Sequence, residues 1–209
     1  MKKQKYKKIR FIAELCQNHL GNFNYIREMI KSCAKNGAEI IKLQHIFAKD
    51  LAKRYQFENG FQNDKKIYCI KRPYLEEFKR LKPLEIPTPK LKEFIDICNQ
   101  YDVTPSITCF SRYRIKELKN IGFKVLKIAS YDCGSFPLIK DAADNFQELI
   151  VSTGASYIDE IKRTTNYLNK KNKKFSLLHC TTIYPTPINK INIRKLNILK
   201  KLCNEVGFS

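Results

Sequence analysis

Seven apolar runs along the chain each end in residues able to do chemistry: Glu14; Lys42 with Gln44; Thr108 with Ser111; Lys127 with Ser130; Ser152 with Thr153; His179 with Thr181 and Thr182; and Ser209. Two lysines among hydroxyls suit a small ligand that carries both a phosphate and a carboxylate. Ammonium groups neutralise the anionic oxygens, and Ser and Thr hydroxyls add directional hydrogen bonds in little space. Taken singly, each residue has a plainer reading: a strand lysine pairs with a core carboxylate, a strand serine is structural, and His179 beside Cys180 is a satisfied core histidine. Repetition at equivalent strand ends favours a site. Glu14 sits inside a strand-like run, where a carboxylate is costly to bury alone. It is either a salt-bridge partner of Lys42 or a site acid, base or orienter in a water-poor pocket that tunes its proton affinity.

The elements that would position these residues alternate regularly. Strands are predicted from residue 9 or 11, and over 38–44, 105–110, 125–130, 149–153, 175–180 and 206–209. Helices are predicted over 22–36, 88–101, 112–120, 137–145, 157–170 and 192–204, with apolar residues at spacings of three and four. Residues 45–85 lose the pattern in a polar and aromatic stretch, which in a compact domain is functional or carries short helices of its own. Near-continuous apolar strands separated by helices predict a parallel sheet covered on both faces. Neither the glycine-rich turn of a dinucleotide fold nor a phosphate-binding loop follows the first strand. In a (β/α) barrel the strand ends named above would converge on one face as a ring.

With 209 residues, 43% hydrophobic, the chain suits one domain: a basic tail over 1–10 and a barrel over 11–209. Forty Lys and Arg against 20 Asp and Glu leave a net charge of +20. The excess is lysine spread over many segments, and no segment has the pattern of a nucleic-acid module. It reads as a solvated surface with general attraction for anions, not as a nucleic-acid interface. The eight cysteines include no C-x-x-C pair, which fits free thiols in a reducing cytoplasm. Arg10 and Glu14 break the first apolar run, so neither a secretory nor a membrane segment is expected.

The motifs resemble those of the N-acetylneuraminate (sialic acid) synthases and their legionaminate and pseudaminate relatives. FIAELCQNHLG is similar to that family's IAEIGxNHxG, AEIIKLQ to AdavKfQ, ITCFS to sTPFS and VLKIAS to yKIaS. VSTG with Glu160 and Ile161 resembles lSTGm…EI, LLHCTTIYPTP resembles LLHCtsxYPtp, and VGFS matches the start of vGySDHT. Order and spacing agree over residues 9–209.

The resemblance implies condensation of phosphoenolpyruvate with an N-acylhexosamine, such as N-acetylmannosamine or its 6-phosphate, to a nine-carbon 2-keto sugar acid. It implies Mn or Mg as cofactor and a homodimer. Carried over by motif, Lys42, Thr108, Lys127, Ser130, Ser152, Thr182 and Ser209 would line the phosphoenolpyruvate site. Glu14, as the catalytic group, together with Gln44 and Tyr184 would face the acceptor sugar. Three positions depart from the pattern: Cys16 stands for a glycine, Cys109 for a proline, and Thr182 at a position occupied by Asn, Ser or Thr. The resemblance also implies an incomplete TIM-type (β/α)8 barrel of about seven strands. No metal ligand is expected within the chain, because the family's metal-binding histidines, eighth strand and antifreeze-like domain would lie beyond Ser209. Two other readings stand beside it: a Schiff-base aldolase on the same barrel with Lys127 or Lys42 as nucleophile, and a basic protein that keeps the fold without turnover.

Overall fold

The computed structural model describes residues 9–63 and 66–209, so most of the expected basic tail lies outside the described residues. Seven strands form one sheet in the order β1 (Ile12–Cys16), β2 (Ile40–His45), β5 (Thr104–Cys109), β6 (Val125–Ile128), β7 (Glu148–Ser152), β8 (Lys174–His179) and β9 (Val206–Phe208). Every neighbouring pair is parallel. These are the seven predicted runs. The connections carry α1 (Phe23–Lys35), α4 (Thr88–Gln100), α5 (Ile115–Ile121), α6 (Phe136–Asn145), α7 (Ile158–Lys170) and α8 (Lys195–Leu199).

Local chemistry explains the boundaries. Asn22 opens α1 by accepting the Asn24 N–H at 2.9 Å, and Gly37, at φ 88°, takes the left-handed turn after its end. Glu160 opens α7 by accepting the Tyr157 N–H at 2.7 Å. Prolines stand in the first turns of α4 and α6, where a missing N–H costs nothing.

Side chains alternate across the strands. One face meets the helices and forms the main core, with Ile41, Leu43, Ile107, Leu126, Leu149, Val151 and Leu177 against Ile26, Ile30, Phe94, Leu118, Ile139 and Leu168. Each such fully buried side chain contributes about 1.5–3 kcal/mol. The opposite, inner face has a small apolar floor of Ile12, Ile40, Val125, Ile150 and Leu178. At the strand N-termini Arg10 bridges Glu148 of β7 at 2.8 Å and Glu205, just before β9, at 2.9 Å. It thereby ties the approach to β1 to the far side of the sheet.

One prediction needs correcting. The helix expected over 192–204 contracts to α8, because Asn192 sits at φ 48° and cannot begin a right-handed helix. The stretch 45–85, expected to be functional or to carry short helices, does carry them. It contains α2 (Tyr55–Asn59), an antiparallel pair β3 (Phe61–Asn63) and β4 (Lys66–Cys69), and α3 (Tyr74–Leu81). The Arg72 N–H donates to the Phe57 carbonyl at 2.7 Å and the Tyr74 N–H to Glu58 at 3.2 Å, which knits its two halves together. All eight cysteines are free. Among the described residues no helix is long and apolar enough to cross a membrane.

Candidate functional site

Register sets the inner-face cluster. Lys42 pairs with Glu14 on one side and Ser106 on the other, and Thr108 pairs with Gln44 and with Lys127. Lys42 is 2% exposed. Its ammonium donates to Thr108 Oγ1 at 2.8 Å and forms an ion pair with Glu14. Burial pushes the Lys42 amine down to about 8; the Glu14 carboxylate opposes that fall and the Lys127 ammonium adds to it. Ser106 and Ser152 are buried on the same face, and their hydroxyls make no hydrogen bond among the described residues. Buried polar atoms of this kind call for a partner.

Loops at the upper ends of β6, β7 and β8 meet one another. Ser130 Oγ accepts the Gly154 N–H at 3.2 Å, and the Ser156 hydroxyl donates to the Ser130 carbonyl at 2.9 Å. A Cβ on Gly154 would lie 2.8 Å from the Cys180 carbonyl oxygen and 3.0 Å from Thr182 Cγ2. Only glycine lets the three loops meet there. Thr182 is exposed, as is Ser209, whose N–H donates to the His179 carbonyl at 3.0 Å.

Several expected positions differ. Glu14 was expected in a water-poor pocket, yet its side chain is 38% exposed, because β1 is an edge strand among the described residues; Lys42 is the buried partner. Tyr184 is 92% exposed on the loop after β8, away from the buried Lys42 and Thr108. His179 points to the helix side, where Nε2 lies 2.7 Å from the Ile191 carbonyl and the ring packs on Phe208.

Three features escaped the sequence reading. Asp132, two residues after Ser130, has a buried oxygen without a hydrogen-bond partner among the described residues, and burial pushes its carboxyl up to about 6. The neighbouring Tyr131 ring stacks on Phe110. A carboxylate two places beyond a strand-end serine was the signal that could have found it. Cys16 accepts the Gln44 amide N–H at 3.3 Å on sulfur. Behind β2, His45 is 4% exposed with both ring nitrogens unbonded among the described residues. Burial holds it down to about 4, beside the Asp50–Arg114–Glu117 ion pairs.

The fold and this cluster define a (β/α)-barrel-type protein whose parallel strands end in two lysines, a carboxylate and a group of hydroxyls. A sequence model of the NeuB family matches residues 29–209, and the chain belongs to that family. It is 30% identical to the N,N'-diacetyllegionaminic acid synthase of Campylobacter jejuni over 97% of this chain and 60% of that one. To the pseudaminic acid synthase of the same species it is 29% identical over 97% and 58%. Its backbone matches the N-acetylneuraminic acid synthetase of Leptospira borgpetersenii, solved in complex with citrate, with a TM-score of 0.82 and 26% identity over 97% of this chain and 65% of that one. The chain thus spans somewhat more than half the length of these curated relatives.

Proposed function

We propose that the inner-face cluster binds phosphoenolpyruvate for a nonulosonic acid synthase, which condenses it with an N-acylhexosamine or its 6-phosphate to give a nine-carbon 2-keto sugar acid and phosphate. One observation carries this reading: a buried lysine ammonium, bonded to Thr108 and close to Lys127, shares the inner face with two buried serine hydroxyls that have no hydrogen-bond partner among the described residues. Two ammonium groups and several hydroxyls match a ligand with one carboxylate and one phosphate. Lys42, Thr108, Lys127, Ser130 and Ser152 hold that ligand, with Thr182 and Ser209 at the rim. Glu14 and Gln44 face the acceptor; Tyr184 reaches it only if its loop folds inward.

In the reaction C3 of phosphoenolpyruvate bonds to the aldehyde carbon using the C2=C3 π pair. The aldehyde oxygen takes a proton and becomes a hydroxyl. Water adds at C2 and loses one proton, and as the C2–O bond to phosphate breaks the remaining hydroxyl proton passes to the departing phosphate, leaving the ketone. Asp132, two residues after Ser130, has its carboxyl pushed up to about 6 by burial, a range suited to proton exchange near neutral pH. Lys42 and Lys127 hold the anionic end while charge moves.

Family members use a divalent metal, a Lewis acid at the aldehyde. Among the described residues no three His, Cys, Asp or Glu side chains come together to hold one. His19 Nδ1 accepts the Gly21 N–H, His179 bonds the Ile191 carbonyl, and His45 lies behind the sheet. The described residues do not fit the metal.

Calorimetry with phosphoenolpyruvate, and phosphorus NMR for phosphate release in the presence of N-acetylmannosamine, test the reading. Unchanged affinity in Lys42→Ala and Lys127→Ala would refute it. The lowered Lys42 amine favours one alternative, a Schiff-base aldolase. Borohydride trapping of a pyruvyl adduct on Lys42 would select that alternative.

A further inference from the structure

Cys16 occupies a backbone position that disfavours any side chain. Its φ is 51°, in the left-handed region where a Cβ crowds the following carbonyl. The β1–β2 register slips between Glu14 and Cys16, so that Cys16 pairs with Leu43. Such a bulge re-aims a side chain. Here it sets Cys16 Sγ 3.3 Å from Gln44 Nε2, while the Cys16 N–H donates to Glu14 Oε1 at 2.9 Å. The other Glu14 oxygen meets Lys42, which lies two residues before Gln44 on the same face of β2. One strained residue therefore joins Lys42, Glu14 and Gln44 into a single chain of contacts.

We infer that Cys16 is a positioning residue for the acceptor sugar, its sulfur fixing the Gln44 carboxamide and its backbone N–H fixing Glu14. A glutamine amide has two donors and one acceptor group, and the sulfur engages one donor. A carbonyl and one N–H remain to meet sugar hydroxyls, each of which both donates and accepts. This rests on the acceptor side assigned above to Glu14 and Gln44.

The test compares Cys16→Ala, which deletes the sulfur, with Cys16→Ser, which keeps an acceptor atom and the same backbone demand. Calorimetry measures phosphoenolpyruvate, then N-acetylmannosamine with phosphoenolpyruvate present. NMR follows the Gln44 side-chain NH2 pair in the ligand-free protein. Cys16→Ala should weaken the sugar about fivefold, as for one lost hydrogen bond, and mobilise the Gln44 amide. Phosphoenolpyruvate affinity should stay within about twofold, and Cys16→Ser should restore both other readouts. A Gln44 amide as ordered in Cys16→Ala as in the wild type overturns the inference, as does unchanged sugar affinity. Failure of the wild type to bind phosphoenolpyruvate would instead sink the functional reading, and the Gln44 amide would still decide the role of Cys16.

Discussion

Lys42 Nζ donates to Thr108 Oγ1 at 2.8 Å although the two are not direct ladder partners; Lys42 pairs with Ser106 and Thr108 with Gln44. The bond runs diagonally up the inner face. It holds a buried ammonium towards the strand ends and away from the apolar floor.

Lys42→Met should separate stability from binding. An ammonium buried with an exposed carboxylate partner contributes little net stability, and an apolar side chain of similar volume is neutral or stabilising by about 1–2 kcal/mol. Urea unfolding should show no loss, while phosphoenolpyruvate affinity falls by about 100-fold or more, as for loss of a charge-assisted contact. A variant that unfolds more readily and still binds would contradict the assigned role.

The same lysine predicts a pH profile. Its charged form binds the anion and its folded pKa lies near 8, so affinity should fall by about tenfold per unit above that pH. Stability moves the other way. Between about 8 and the ordinary 10.5 the unfolded chain holds the extra proton, so this group's contribution to folding improves as pH rises. Calorimetry at pH 7 and 9, paired with unfolding at the same values, checks both signs.

Gly21→Ala should be severely destabilising, by about 3 kcal/mol or more. Gly21 lies at φ 77°, and a Cβ there would sit 2.0 Å from the Pro83 carbonyl oxygen. That contact pins the turn after β1 to the end of the 45–85 excursion. A thermal midpoint within a degree or two of wild type would show that the two segments part easily.

His45→Leu should flatten the acid limb of the stability curve. The imidazole is held neutral down to about 4 by burial, with Glu117 and Asp50 opposing and Arg114 reinforcing the shift. The unfolded chain binds the extra proton between about 6.5 and 4, so stability falls as pH drops through that window, by about 3 kcal/mol for this one group. The lowered Asp50 and Glu117 carboxyls lose their own contribution at still more acid pH. Denaturant titrations of variant and wild type at pH 7 and 4.5 measure the difference.

How much of this was legible beforehand depended on whether a signal was local. The apolar runs at Ile107, Leu126, Leu149 and Leu177 declare a buried strand by themselves, and all seven strands followed. Lys42 and Thr108 stood out because polar residues at strand ends are visible one strand at a time. The left-handed turn at Asn192 that shortens α8 rests on one backbone angle, which composition does not reveal. The exposure of Glu14 depends on what packs beside β1, a property of the whole sheet. Gln44 could be read as a strand-end amide, but its sulfur partner comes from a register slip on the neighbouring strand.

Arg10 has a mechanical consequence. Arg10, just before β1 at one end of the strand order, reaches Glu148 on β7 and Glu205 just before β9 at the other. A single guanidinium, 34% exposed and gripping Glu148 and Glu205, therefore gauges the girth of the curled sheet at its lower end. The Arg10–Glu205 pair is open to solvent while Glu148 is buried, so rising ionic strength should loosen the Glu205 side of this clasp first.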